Sequence, residues 1–444
     1  MNPYLGYELA LLAVVLYAGV VYALWRTGHI GADRTFSFLG PALMVRTRRG
    51  RSMLDRWGRF VRFWTAASDL GIALAIAAMG VILALLLFGA VASLRVPSSE
   101  APSPATALGI PGINPIIPLG YGLVALIVGI VLHELSHGVV ARSQKIGVKS
   151  LGILWCVIPV GAFVEQDDAE MLAAPRRQRD RVAAAGVLAN FVLTIVFFVA
   201  LSAVVASSVH PAAAGVGVAY VESNTPAANA SIAAGDIIVA VNGTNTSTVS
   251  AFETALEATH PNETVLVVYH STSGATVTAS VTLAKSPTVA TRGFLGVAVD
   301  ELTPAEIRQI LVWPGGSSYG PFEGAVYWLV LPLATLEPVA GSTTHYFVLS
   351  GPLAGLGTGG FWVFANLLYW LAWMNLLLGL SNALPLVPLD GGLLFRDFMA
   401  SIAARWRKTW SAERLDAFGT RAVAVSSMVV LVLLVWQFVV PHLL

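Results

Sequence analysis

Of 444 residues, 56% are hydrophobic and 11% charged, where an ordinary soluble chain carries roughly 25% charged residues; this composition excludes a soluble globular protein and points to an integral membrane protein. A formal net charge of +1 argues against a nucleic-acid partner, which calls for a basic patch or domain. Cys156 is the only cysteine, so there is no internal disulfide and no Cys-rich zinc site.

Apolar stretches long enough to cross a bilayer, at roughly 20 residues each, lie near 4–25, 68–94, 119–142, 182–207, 361–384 and 421–440. The expected fold class is a polytopic α-helical membrane protein of about six transmembrane helices. The first stretch, Tyr4 to Trp25, has no basic n-region and is too long for a signal-peptide core, so it is expected as a retained span. Between the first two spans, Arg34, Arg46, Arg48, Arg49, Arg51, Arg56 and Arg59 face only Asp33 and Asp55, which places this loop in the cytoplasm by the positive-inside rule. Alternate counting puts Lys145 to Arg181 and Arg396 to Arg414 on the same side. The Pro/Ser-rich linker from Arg95 to Pro118 and the long segment from Ser207 to about Gly360 then fall outside. "GAVYWLVLPLATLEPVAG", Gly324 to Gly341, is apolar but interrupted by Pro332, Glu337 and Pro338. An interfacial or re-entrant element is expected there; a full span would invert every later assignment.

From Gly215 to Leu283 the pattern turns to short alternating stretches, "DIIVAVNG", "TVLVVYH" and "TVTASVTL", with an Asn242–Gly243 turn followed by one helix-like segment. These features predict a small β-rich domain. Sequons at Asn229, Asn242, Asn245 and Asn262 suit an extracytoplasmic face, and are also expected by chance in an Asn/Thr-rich segment. The expected organisation is 1–118, two spans with a basic loop and linker; 119–207, the first half of a membrane core; 208–290, the β-rich domain; 291–360, a connecting segment; 361–444, the second half of the core with a last span.

Inside the third apolar stretch stands "IVLHELSHGVVAR". Residues four apart share a helix face, so His133 and His137 can reach one ion, while Glu134 sits about 100° around and can address a ligand of that ion. Ionisable groups are costly in a bilayer, at about 2.5 kcal/mol or more for a charged one, so three within five residues imply a compensating partner. His133 precedes the boundary residue Arg142 by nine positions, about 13 Å at 1.5 Å per residue. A hydrolytic zinc site usually takes three protein ligands. The candidates for the third are Glu165, Asp167, Asp168, Asp390 and the remaining histidines, His29, His210, His260, His270, His345 and His442. Asp390 follows an outside-to-inside span in "NALPLVPLDGG", where Pro385 and Pro388 break the helix and Gly391 and Gly392 permit close backbone approach. A plain Asp-Gly turn at a helix end reads the same stretch equally well.

Together these residues resemble the site-2 protease family of intramembrane zinc metalloproteases. "HELSH" corresponds to its HExxH, and "NALPLVPLDGG" looks like its second motif, an Asn followed by a Pro-interrupted stretch ending in Leu-Asp-Gly. "VIPVGAFVE", Val157 to Glu165, is similar to its strand-rich loop, and "RVAAAGVLANF" resembles its next span, with Val187 where proline is usual. The match covers most of Tyr121 to Phe395 and leaves out the first two spans. "GDIIVAVNG" resembles the PDZ domain, whose modules bind by adding a peptide strand to an exposed edge; a structural spacer is the plainer alternative. The resemblance implies that His133, His137 and Asp390 hold Zn2+, that Glu134 is the general base, and that Asn382 positions the scissile peptide or its developing oxyanion. It makes Glu165 an interface residue, and the stretch around Gly161 a template for an unwound substrate. The implied activity is hydrolysis within transmembrane protein substrates in the lipid bilayer of the cell membrane, toward the cytoplasmic half, with the PDZ-like domain filtering ectodomains outside. Two other classes use the same residues: a metal-ion transporter, for which no second copy of either motif is found, and a catalytically silent scaffold, which would not need Glu134.

Overall fold

A backbone amide in lipid has no water to bind, so an apolar run must satisfy its own hydrogen bonds and coils into a helix. The computed structural model describes residues 5–31, 35–40, 42–107, 109–312, 320–334 and 338–443; Asp33 and Arg34 of the basic loop and Glu337 of the interrupted stretch lie outside them. Among the described residues, five helices are long and apolar enough to cross a membrane, against the six spans expected. The first expected run is also helical, as α1 (Leu5–Arg26). The chain divides into two compact units, one of 1–115, 122–195 and 371–444, the other of 116–121 and 196–370.

In the first unit α1 leads into a hairpin, β1 (Phe36–Leu39) and β2 (Ala42–Thr47), a two-turn helix α2 (Arg51–Gly58) and the long helix α3 (Val61–Ala92). After the linker come α4 (Leu119–Ser143), β3 (Val148–Cys156), β4 (Ile158–Gln166), α5 (Asp168–Ala173) and α6 (Arg176–Ser208). The hairpin was not expected. Strand β2 pairs antiparallel with β3, giving one four-stranded sheet in the order β1-β2-β3-β4 with β4 at its edge. Arg46, expected as a topological charge, ties this sheet together: it pairs with Glu165 of β4 at 3.2 Å and donates to Ser37 Oγ at 2.6 Å. Glu165 also accepts from Ser150 Oγ.

The second unit holds β5 (Val209–Pro211), β6 (Val216–Val221), α7 (Pro226–Asn229), β7 (Ile237–Val241), β8 (Thr244–Asn245), α8 (Val249–Glu257), β9 (Thr264–His270) and β10 (Thr276–Thr282). It continues with β11 (Ala284–Lys285), β12 (Gly293–Phe294), β13 (Val297–Val299), α9 (Pro304–Leu311), α10 (Pro321–Ala334) and β14 (Phe347–Leu349). The main sheet runs β10-β9-β7-β6-β13, with β8 added to β7. Alternate residues of its strands, Val216, Val218, Val265 and Val267 among them, bury against Phe252 of α8. Asn242 and Gly243 take the positive φ angles, 49° and 79°, that a tight β7–β8 turn requires. The β-rich expectation for this stretch therefore holds. Among the described residues helix α10 has 14 residues, about 21 Å at 1.5 Å per residue, against a hydrocarbon core of about 30 Å; residues 335–337, which follow it, lie outside the described ones.

The last elements are α11 (Gly357–Asn382), α12 (Asp390–Trp406) and α13 (Ala412–Val439). Small residues let α4, α6 and α11 approach closely, as in membrane bundles generally. A Cβ on Gly129 of α4 would lie 2.6 Å from Leu378 of α11, and one on Gly379 of α11 would lie 2.9 Å from Phe191 of α6. At one end, the arginines of α6 clasp three other helices: Arg181 and Arg177 pair with Asp69 of α3, Arg179 with Asp397 of α12, and Arg176 with Asp416 of α13.

Candidate metal centre

Helical spacing puts His133 and His137 on one face of α4, both buried. The third member comes from far along the chain. Helix α11 stops at Asn382, since Pro385 and Pro388 cannot donate to a helix, and α12 restarts at Asp390. Gly391 and Gly392 are needed there: a Cβ on either would fall within 2.3 to 2.7 Å of the carbonyl oxygens of Ala383 and Leu386. The fold-back brings Asp390 Oδ2 to 3.2 Å from Nε2 of each histidine, and the two Nε2 atoms are 3.1 Å apart. At the first turn of α12 the helix dipole also favours its negative charge.

Three near-equal sides of 3.1 to 3.2 Å are close to the separation of about 3.3 Å expected of atoms bound 2.0–2.1 Å from one centre at tetrahedral angles. Donor chemistry agrees. Nδ1 of His137 lies 2.7 Å from the Val182 carbonyl, which can only accept, so in the neutral ring Nε2 is the nitrogen left with the lone pair. Asp390 Oδ2 is buried without a hydrogen bond. A carboxylate oxygen and imidazole lone pairs this close repel each other unless a cation or a proton lies between them. Gly186 of α6 completes the cradle, because a Cβ there would sit 2.4 to 2.6 Å from ring atoms of both histidines. These residues fit a divalent metal with two nitrogen ligands and one oxygen ligand, and no other group of three such side chains converges among the described residues.

Glu134 lies off this triangle, and its Oε2 accepts from the Val164 backbone N–H of β4 at 3.1 Å. Gly161 is in the same edge strand, where a Cβ would meet only Leu154, at 3.5 Å; packing does not demand a glycine there. Asn382 stands at the end of α11 with its amide nitrogen donating to the Leu378 carbonyl at 3.0 Å, not to the converging side chains. The other candidates for the third ligand lie elsewhere. Glu165 is taken by Arg46 and Ser150, while Asp167 caps α5 and shares Lys149 with Asp168. His29 contacts Thr27, His210 contacts Ser350, and His260 contacts Glu263. His270 lies in β9, and His345 and His442 in short 3-10 turns.

Two residues at the centre were not singled out by sequence. Gly186 is one, and Asn190, fully buried one turn further along α6 with its amide 3.0 Å from His133 Nδ1, is the other. The only signal was their place in "RVAAAGVLANF", the stretch similar to the family's next span, in which neither residue was assigned a role.

A HExxH pair on a helix long and apolar enough to cross a membrane, joined by a remote aspartate, defines an integral membrane metalloprotease. This chain belongs to peptidase family M50, the site-2 protease family, whose model matches residues 121–428. It is 25% identical over 349 residues to an uncharacterised protein of Methanocaldococcus jannaschii, covering 78% of this chain and 75% of that one. It is 29% identical over 288 residues to a Lactococcus lactis protein named as a proposed zinc metalloprotease, covering 62% of each chain. A Clostridium perfringens protein named in the same way is 26% identical over 325 residues, 68% of this chain and 92% of that one.

Proposed function

We propose that this protein is an intramembrane zinc metallopeptidase that hydrolyses a peptide bond within the membrane-spanning segments of other proteins. The observation that carries the reading is the meeting of His133, His137 and Asp390, from α4 and α12, at mutual distances of 3.1 to 3.2 Å. These three would hold zinc, which when bound supplies Lewis acidity at a scissile carbonyl. Glu134 takes a proton from the attacking water and passes it to the departing amine, a general acid–base role. Its bond to the Val164 N–H fixes the carboxylate beside β4. A substrate helix shields its own carbonyls until it is unwound. The outer edge of β4, around Gly161, offers an added strand the hydrogen bonds it gives up. Asn382 would turn from the Leu378 carbonyl to hold the opened peptide without adding charge. The inserted β-rich domain acts in this reading as a PDZ-like filter on the extracytoplasmic side, with the centre in the cytoplasmic half of the cell membrane.

The test is metal analysis of the purified full-length protein with cleavage of a model transmembrane substrate, for the parent and for Glu134→Gln. Both should carry about one zinc per chain, and the variant should cleave at least about 100-fold more slowly. Absence of stoichiometric metal from the parent, or equal cleavage by both, would end the proposal. Vesicle metal transport untouched by the variant would favour a transporter; client capture without cleavage in the parent would favour a scaffold.

A further inference from the structure

An imidazole binds metal through one nitrogen when the other carries its proton, and the partner of that second nitrogen decides which is which. His137 is settled by the Val182 carbonyl. His133 has no such carbonyl: its Nδ1 faces the amide of Asn190 at 3.0 Å. With the Asn190 nitrogen toward the ring, that nitrogen donates, Nδ1 accepts, and the ring proton is left on Nε2 facing Asp390. That tautomer cannot ligate. In the same arrangement Asn190 Oδ1 is buried with no hydrogen-bond partner. The two ends of a side-chain amide have nearly the same shape, so the network decides which end faces the ring. A half-turn of the amide gives the orphaned oxygen a donor, Nδ1–H, and frees Nε2 as a lone pair. One change satisfies both atoms.

We propose that Asn190 is a positioning residue whose side-chain oxygen accepts the Nδ1 proton of His133 and so selects the tautomer that binds metal. The inference rests on the zinc reading of the site. Its place in the fold supports it. Asn190 follows Gly186, the residue that leaves room for the metal, by one helical turn. It is 0% exposed, and α11 closes over it, a Cβ on Gly379 falling 3.4 Å from the Asn190 Cβ.

The experiment measures zinc affinity of the full-length protein by competition with a chromophoric chelator, and the absorption spectrum of the Co2+ form, for the parent, Asn190→Leu and Asn190→Asp. Leucine removes the acceptor and should weaken zinc by about 10- to 100-fold, as loss of such a partner does elsewhere. Aspartate keeps an acceptor oxygen and has no amide donor, so it should restore parental affinity and the parental cobalt spectrum. Leucine binding as tightly as the parent, or aspartate as weakly as leucine, overturns the proposal. Should the leucine variant fail to fold, the aspartate variant decides alone, because a donor role for Asn190 requires it to bind weakly. A parent that binds no zinc sinks the zinc reading and this inference together; a zinc-binding parent with indifferent variants sinks this inference only.

Discussion

Position 186 shows how little room the centre leaves. A methyl group there would lie 2.4 Å from His133 Cε1 and 2.5 Å from His137 Nε2, and neither ring can swing away without giving up Asn190 or Val182. Alanine is otherwise at home in a helix, so Gly186→Ala should leave the bundle folded while zinc falls from about one per chain to none. Metal analysis beside thermal unfolding of the metal-free protein separates the two effects, and a variant that retains zinc refutes the steric account. The same contrast explains what could be read from the chain. His133, Glu134 and His137 were legible because helical periodicity alone sets their geometry. Asp390 needed a second motif, since nothing local says where a residue some 250 positions away will land. Gly186 and Asn190 matter through the space they leave and the atom they face, and spacing along one segment carries neither.

At the level of elements, the metal helix is braced by α2. Leu54 is fully buried, and a Cβ on Gly138, the residue after His137, would lie 2.9 Å from it. Gly58 sits against the backbone of the same helix at Val139, and Asp55 pairs with Arg142 at 2.9 Å. Truncating a buried leucine costs about 2–5 kcal/mol through lost contacts and the cavity left behind. Leu54→Ala should therefore lower the unfolding temperature in detergent and reduce cleavage, with zinc stoichiometry unchanged because no ligand moves out of reach. Loss of zinc would show that α2 sets the ligand geometry itself. This brace, like the β1–β2 hairpin beside it, was hidden by its composition. A run with Arg46, Arg48, Arg49, Arg51, Arg56 and Arg59 reads as solvated loop, and only the finished sheet shows Arg46 reaching Glu165. Five of the six expected spans and the Asn242–Gly243 turn were legible because hydropathy and turn chemistry are local.

For the whole molecule, the arginines divide into two groups with different meanings. Those of α6 are consumed in ion pairs with Asp69, Asp397 and Asp416, so part of the charge bias there serves helix packing. Arg48, Arg49, Arg56, Arg59 and Arg62 are exposed and have no acidic partner among the described residues. They stand beside exposed Met53, Trp57 and Phe60 at the entry to α3, the arrangement of an interfacial segment whose arginines meet anionic headgroups. On the proposed topology, orientation is expected to rest chiefly on this second group, which predicts that 46–62 and the β7–β8 turn face opposite sides of the membrane. The lone cysteine makes the prediction easy to check. In a Cys156→Ser background, Asn245→Cys should react with an impermeant maleimide on intact cells, and Arg48→Cys only after permeabilisation. Labelling of both on intact cells would mean that one of α3, α4 and α6 does not cross or that the basic loop does not hold its side, and neutralising Arg56, Arg59 and Arg62 together should then leave the pattern unchanged. If the orientation is set as argued here, that triple change should instead yield a mixed population, because the rule depends on the number of positive charges close to the end of a span.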